Sequence, residues 1–308
     1  MSSFKQFGVQ LAYSHIEKLG DKLEPLQNLV DWKKFESILD RESSRGRPPY
    51  DSILMFKMLI LQRIYGISDQ ELEYQVADRI SFQRFLNFPP IIPDYSTVWR
   101  FREYITELDL HDKLWNEFMQ QLKQKGIIFS KGTIQDATFI TANPGMTQSG
   151  MDNRGRGKNT TRNEDGSWTQ KNNQNYFGYK LHTKMEMGND FITEFAVTTA
   201  KVHDNNIDLS KEDEIVYRDK GYSGAPTIAK GNASMKKAAR GKKLSVKDML
   251  RNDRISRKRK IGERPYAVIK VVMNGAHTLY TEIHRVFTQQ LLNCFVFNLF
   301  QLRRIASA

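Results

Sequence analysis

The chain has 308 residues, 39% of them hydrophobic, which is enough for one large or two ordinary domains with a sizeable core and excludes a disordered chain. The single cysteine, Cys294, excludes a disulfide framework or a cysteine-built zinc site within one chain. The net charge is +12, with a pI of about 9.6, and Lys236 to Lys260 carries twelve Lys or Arg against only Asp248 and Asp253, a clustering that points to a polyanionic partner, nucleic acid first, rather than to general solubility.

The opening MSSFKQFGVQ lacks the apolar core of a signal peptide, and no apolar run approaches the roughly 18 residues of a membrane span, so the chain reads as soluble and intracellular. Leu26 to Leu39 predicts a short helix, broken by Arg45-Gly46-Arg47-Pro48-Pro49. Asp51 caps a predicted helix through Arg63, Ser68-Asp69-Gln70-Glu71 forms a capping box, and Phe82, Phe85 and Leu86 make a further apolar step before Pro89-Pro90. Another capped helix starts at Asp94 or Ser96, and a last one spans His111 to Lys125. Residues 1–125 therefore predict an all-helical N-terminal domain. Short turns between its helices fit a DNA-binding helix-turn-helix-like module and a purely structural cap equally well.

At Gly126 the pattern changes to mixed α/β, a second domain over residues 126–308. Ile127–Phe129 and Thr133–Ile140 predict strands, and Thr141 to Asn175, rich in Asn, Gly, Thr, Gln and Lys, predicts a long exposed loop. Tyr176–Met187 and Phe191–Thr199 predict a hairpin turning at Gly188-Asn189-Asp190, and Glu214–Tyr217 a short strand. From Glu263 onward the pattern is helical, with Ile283, Val286, Phe287, Leu291, Phe295, Leu299 and Leu302 at three- and four-residue steps.

Three acids stand out. Asp136 interrupts an apolar strand, where an unpartnered carboxylate is costly. Asp219 follows Ile215-Val216-Tyr217, and strand ends are where α/β folds place their sites. Glu263 opens the helical region, Arg259 lies four residues before it, and Lys270 lies seven after, on the same face of an α-helix about 10 Å along. Carboxylates can hold divalent metals while Arg and Lys grip phosphates. Each acid alone also has a plainer reading, as a turn cap, the shaper of a glycine turn, or a complement to a helix N-terminus.

The blocks taken together resemble the DDE-type transposases of bacterial insertion sequences, specifically the insertion-sequence family numbered five. Arg47-Pro48-Pro49-Tyr50-Asp51, Tyr65-Gly66-Ile67-Ser68-Asp69 and Pro93-Asp94-Tyr95-Ser96-Thr97 look like that family's N-terminal domain. Asp136-Ala137-Thr138, Gly178-Tyr179-Lys180-Leu181-His182, Thr199-Ala200-Lys201-Val202-His203-Asp204 and Asp219-Lys220-Gly221-Tyr222 look like its successive catalytic-domain blocks. Arg259, Glu263 and Lys270 match its Arg, Glu, Lys signature, while Ser256 stands where the broader signature has Tyr.

The resemblance implies an RNase H-like catalytic domain behind the helical one. It implies Asp136, Asp219 and Glu263 as catalytic and metal-ligating residues, holding two Mg²⁺ or Mn²⁺ ions. It implies cleavage at the element ends, strand transfer into target DNA, a homodimer in the synaptic complex and a cytoplasmic, nucleoid-associated bacterial protein. DNA contacts are expected from Arg259, Lys270, Arg257, Lys258, Lys260, Lys180, His182 and Lys220, and from Trp168 and Lys171 in the long loop, although a loop anchor is the favoured reading of Trp168. Two rivals remain: a DNA-binding derivative that no longer cuts, and a nuclease of the same fold without strand transfer.

Overall fold

The computed structural model describes residues 2–40, 48–145, 163, 165–171 and 173–307. The chain divides into two compact units, Met1–Ile127 with Leu302–Ala308, and Ile128–Gln301.

The first unit is helical: α1 (Ser2–Leu19), α2 (Glu24–Leu29), α3 (Glu36–Leu39), α4 (Ser52–Tyr65), α5 (Asp69–Asp78), α6 (Ile80–Phe85), α7 (Tyr95–Glu107) and α8 (His111–Gln124). The caps explain the starts. Asp51 accepts from the Leu54 amide at 2.6 Å, Ser68 from Glu71 at 3.1 Å, and Asp94 from Thr97 at 2.7 Å, so Asp94 rather than Ser96 opens α7. Gly66, at φ 60°, closes α4 in the left-handed conformation that only glycine adopts cheaply. The single helix expected over Leu26–Leu39 is in fact α2, a 3-10 turn at Trp32–Phe35 and α3, because Val30 is extended. That break turns Trp32 onto Phe56 and Phe85, and Phe35 onto Phe56, with ring centroids 5.3–6.1 Å apart, in the edge-on and tilted pairings aromatic rings prefer. Arg102, on α7, is 2% exposed and held by Asp69 and Gln62.

The second unit is a seven-stranded mixed sheet with helices. The strands are β1 (Gly132–Ala142), β2 (Ser167–Lys171), β3 (Gln174–Glu186), β4 (Ile192–Thr199), β5 (Ile215–Arg218), β6 (Gly231–Ser234) and β7 (His277–Thr278). The main path runs β4, β3, β1, β5, β6. The β4–β3 and β3–β1 pairs are antiparallel, and β1–β5 and β5–β6 are parallel. The strand expected over Ile127–Phe129 does not form. The expected loop between residues 141 and 175 contains β2, paired with the first residues of β3, so Trp168 lies on a strand. Loop residues 146–162, 164 and 172 lie outside the described residues.

The helices of this unit are α9 (Val246–Arg259), α10 (Arg264–Ala267) and α11 (Ile283–Ala306). Helical structure therefore begins inside the basic stretch, at Ser245, whose hydroxyl accepts from the Asp248 amide at 3.1 Å. Glu263 ends a 3-10 turn, Lys260–Glu263, that joins α9 to α10, and stands as the N-cap residue of α10 rather than at the start of the helical region. Val268–Val272 then forms a π-helical turn. A π turn is wider than an α turn, so the seven-residue step from Glu263 to Lys270 does not return to one face as α geometry predicts. On α11, Asn298 both donates to and accepts from the backbone of Ile192, at 2.8 and 2.9 Å, tying the core helix to the start of β4. No helix among the described residues is long and apolar enough to cross a membrane.

Candidate functional site

Strand alternation sorts the central residues. Ile134, Asp136 and Thr138 share one face of β1; Gln135, Ala137 and Phe139 share the other. In the parallel β1–β5 register, Gly132 stands beside Ile215, Thr133 beside Val216 and Ile134 beside Tyr217. Carried two residues further, that register would bring Asp219, just past the end of β5, level with Asp136, and the Asp219 charge acts on the Asp136 carboxyl. On the other neighbour, Thr183 of β3 stands directly across from Asp136.

The reverse face is locked by polar pairing. Arg218, fully buried, donates to Gln135 Oε1 at 2.7 Å and pairs with Asp208. Lys184, also fully buried, pairs with Glu214 at 3.0 Å. This network fixes β1 and β5 from behind, and with them the two aspartates in front.

The α9–α10 segment closes the front. Arg259 Nη2 donates to Asp136 Oδ2 at 2.9 Å. Gly262 rests on Ile134: a Cβ there would stand 2.6 Å from the Ile134 Cγ2, so only glycine permits this approach. Tyr266, buried on α10, shares a hydrogen bond of 2.7 Å with the Thr183 hydroxyl. Glu263 thus sits between anchors: four residues after the one that grips Asp136, one after the one that rests on Ile134, and three before the one that grips Thr183. Its own side chain is exposed.

The electrostatics centre on Asp136. Burial raises its carboxyl to about 6; Arg259 and the Ala137 amide oppose the rise, and Asp219 and Asp204 add to it. Asp219 accepts from the Gly221 amide at 2.7 Å, so it does shape the glycine turn as its plainer reading has it, while keeping its place beside Asp136. No three His, Cys, Asp or Glu side chains among the described residues are grouped so as to hold a metal ion. Asp219 lies near enough for its charge to act on Asp136; Glu263 lies on the separate α9–α10 segment and is not gathered with them.

The expected phosphate-gripping residues divide. Lys180 and His182 are corrections: both project from β3 onto the buried reverse face. Lys180 is 8% exposed and donates to Asp204 at 2.9 Å and to the Val202 carbonyl at 2.7 Å. His182 is fully buried against the Thr198 hydroxyl at 2.9 Å, and burial lowers its pKa to about 4, leaving a neutral ring inside the fold rather than a cation for DNA. Lys220, Arg257, Lys258 and Lys260 are exposed, and Lys270 is half-buried. Arg257 pairs with Asp253 at 2.7 Å, and Lys258 donates to the Tyr217 hydroxyl at 2.9 Å. Trp168 is 51% exposed, with its ring 5.3 Å from Phe177; the Lys171 side chain lies outside the described residues.

Gly262, Tyr266 and Thr183 were not singled out by sequence reasoning. Their signal was spacing: Gly262 and Tyr266 lie next to and three residues from Glu263. In the turn Asp204–Asn206 the capping side chain is His203, and Asp204 holds Lys180.

Two family models match the chain. The family described as Transposase DDE domain matches residues 128–299, more than half of the chain, and Transposase domain (DUF772) matches residues 11–104. No solved structure matches.

Proposed function

The chain belongs to the Transposase DDE domain family, whose members act in DNA transposition, and we propose that its cutting centre is the Asp136–Asp219 face together with Glu263. The observation that supports this reading is the β1–β5 register, whose extension by two residues brings Asp219 level with Asp136, the residue Arg259 grips. The strand order and orientations, three antiparallel strands followed by two parallel ones, support an RNase H-like catalytic fold. The block pattern supports the insertion-sequence family numbered five, and the helical residues 1–125 are assigned to binding the element ends.

The family generally uses divalent metal ions, and the residues here fit them. Asp136 is desolvated and only partly neutralised by Arg259, so negative charge is concentrated where a cation relieves it. Two Mg²⁺ or Mn²⁺ ions held by Asp136, Asp219 and Glu263 would stabilise the attacking and leaving oxygens of a phosphodiester. The chain's own residues do the rest. The locked sheet keeps Asp136 and Asp219 in fixed relation. Tyr266 and Gly262 anchor the segment that carries Glu263 to β3 and β1, the strand of Asp136. Arg259 orients Asp136 and offers its guanidinium beside a bound phosphate. The exposed Lys258, Lys260 and Lys220 draw in the DNA backbone. The reaction is hydrolysis at an element end, followed by attack of the freed 3′ hydroxyl on target DNA, in a complex that pairs two ends through a homodimer.

A DNA-binding derivative that no longer cuts draws on one observation, the exposed and ungathered Glu263. An assay on DNA carrying the element ends separates the readings. The transposase gives metal-dependent nicks and strand-transfer products, both lost in Asp136→Ala and Glu263→Ala. Binding without cleavage selects the derivative, and cleavage without joining selects a nuclease.

A further inference from the structure

Between α9 and the strands β5 and β6 lies a groove of about 790 Å³. It is lined by six Lys and Arg side chains against one acid, Asp248, and that acid is already paired with Lys236 at 2.7 Å. Lys247 and Arg254 make no ion pair among the described residues. Lys258 rests its ammonium 4.8 Å from the centre of the Tyr217 ring. Apart from Asn232, the rest of the lining is apolar: Ala233, Leu250, Ile255 and the ring of Tyr217, with Leu250 55% exposed.

A surface that only tracks a duplex backbone needs cations and gains nothing from a concave apolar lining. A groove that joins cations to an aromatic ring and aliphatic walls suits a nucleotide, whose phosphate is anionic and whose base has a flat apolar face. In a duplex that face is stacked and out of reach, so the matching ligand is an unpaired strand. The groove's place in the fold supports this. Tyr217, on β5, precedes Asp219, just past the end of that strand, by two residues, about 7 Å along extended chain.

We propose that this groove binds an unpaired DNA strand and delivers it to the Asp136–Asp219 face. One base stacks on Tyr217 where the Lys258 ammonium now rests, and the phosphates lie on Lys247, Arg254 and Lys258. The proposal rests on the reading of this chain as a DNA-cutting transposase, and it adds that the DNA is locally opened beside the cut.

The test is fluorescence anisotropy of the full chain in EDTA, with a short labelled oligothymidine and a blunt duplex as separate probes. Tyr217→Ala and Arg254→Ala each weaken oligothymidine binding by at least about fivefold, and leave blunt-duplex affinity within about twofold. Arg254→Ala also flattens the salt dependence on oligothymidine by about 0.7 in the log–log slope. Tyr217→Phe, which keeps the ring, retains binding. An equal loss on both probes makes the groove ordinary backbone surface and overturns the proposal, as does no loss on either. Arg254 is exposed on α9, so its variant decides the matter if Tyr217→Ala fails to fold. Binding in EDTA is read independently of cutting, so a chain that binds the single strand selectively but gives no cleavage in the separate assay with Mg²⁺ would refute the DNA-cutting reading and leave the groove standing.

Discussion

Arg259, in the last turn of α9, donates to Asp136, in the middle of β1, across 2.9 Å and 123 residues of sequence. The pair is largely sheltered, with side chains 15% and 22% exposed. Removing the guanidinium leaves a desolvated carboxylate without its partner. Arg259→Ala therefore destabilises the chain by about 1–3 kcal/mol, measured by denaturant unfolding. Arg259→Lys recovers part of that stability but not DNA cleavage, because an ammonium lacks the planar fork that can serve carboxylate and phosphate together. Full cleavage by the Lys variant would show that only the charge matters.

Gly262 sets how closely the Glu263 segment approaches the sheet. An added Cβ would meet Ile134 at 2.6 Å, so one of the two must move. Gly262→Ala costs about 1–3 kcal/mol of stability and lowers cleavage more than DNA binding. Ile134→Ala in the same chain restores part of the cleavage, since the shortened side chain vacates that space. No rescue would separate Gly262 from this contact.

Tyr266 and Thr183 share one buried hydrogen bond of 2.7 Å. Tyr266→Phe or Thr183→Val alone leaves a buried hydroxyl unpaired, at a cost of about 1–3 kcal/mol, whereas the double variant is closer to wild type than the sum of the two. A double-mutant cycle by chemical denaturation reads this directly. Additive losses would mean that the bond contributes nothing.

Two groups on the reverse face set an acid-side stability profile. Burial holds His182 down from 6.5 to about 4, so the unfolded chain binds its proton first; stability falls as pH drops from about 6.5 toward 4. Burial would raise Asp208, but hydrogen bonds from Ser210 and Ile228, together with Arg218, bring it down to about 2. Its contribution is present above the ordinary carboxylate range and is lost as pH falls from about 4 toward 2. Urea midpoints across pH should show both limbs. His182→Gln flattens the first and Asp208→Asn the second; an unchanged profile in either variant would remove that group from the account.

Much of this fold is legible in the residues. Asp51, Ser68 and Asp94 cap helices because their short side chains reach the free amides of a first turn, and a local signal of that kind needs no tertiary context. The strand carrying Asp136 and the one that leads to Asp219 show in their β-branched composition. What stayed hidden depended on partners distant in sequence. Helix α9 buries only Asn252 and Ile255, so it offers almost no apolar periodicity and reads as a charge run. Strand β3 is buried on both faces over most of its length, so alternation could not say that Lys180 and His182 point inward. Strand β2 forms only because β3 offers it a ladder. The resemblance named Asp136, Asp219 and Glu263, but the anchors that position them, Gly262 on Ile134 and Tyr266 on Thr183, join elements that only the folded chain brings together.

The central claim is that Asp136, Asp219 and Glu263 together hold the metals that cut DNA. Anomalous scattering from crystals of the chain grown with Mn²⁺ and an uncleavable DNA end tests it most directly. The account predicts manganese within about 2.0–2.3 Å of oxygens from Asp136 and Asp219, with the Glu263 side chain turned in from solvent to complete the site. Manganese bound elsewhere, or a Glu263 that stays in solvent while the metals are in place, would contradict it.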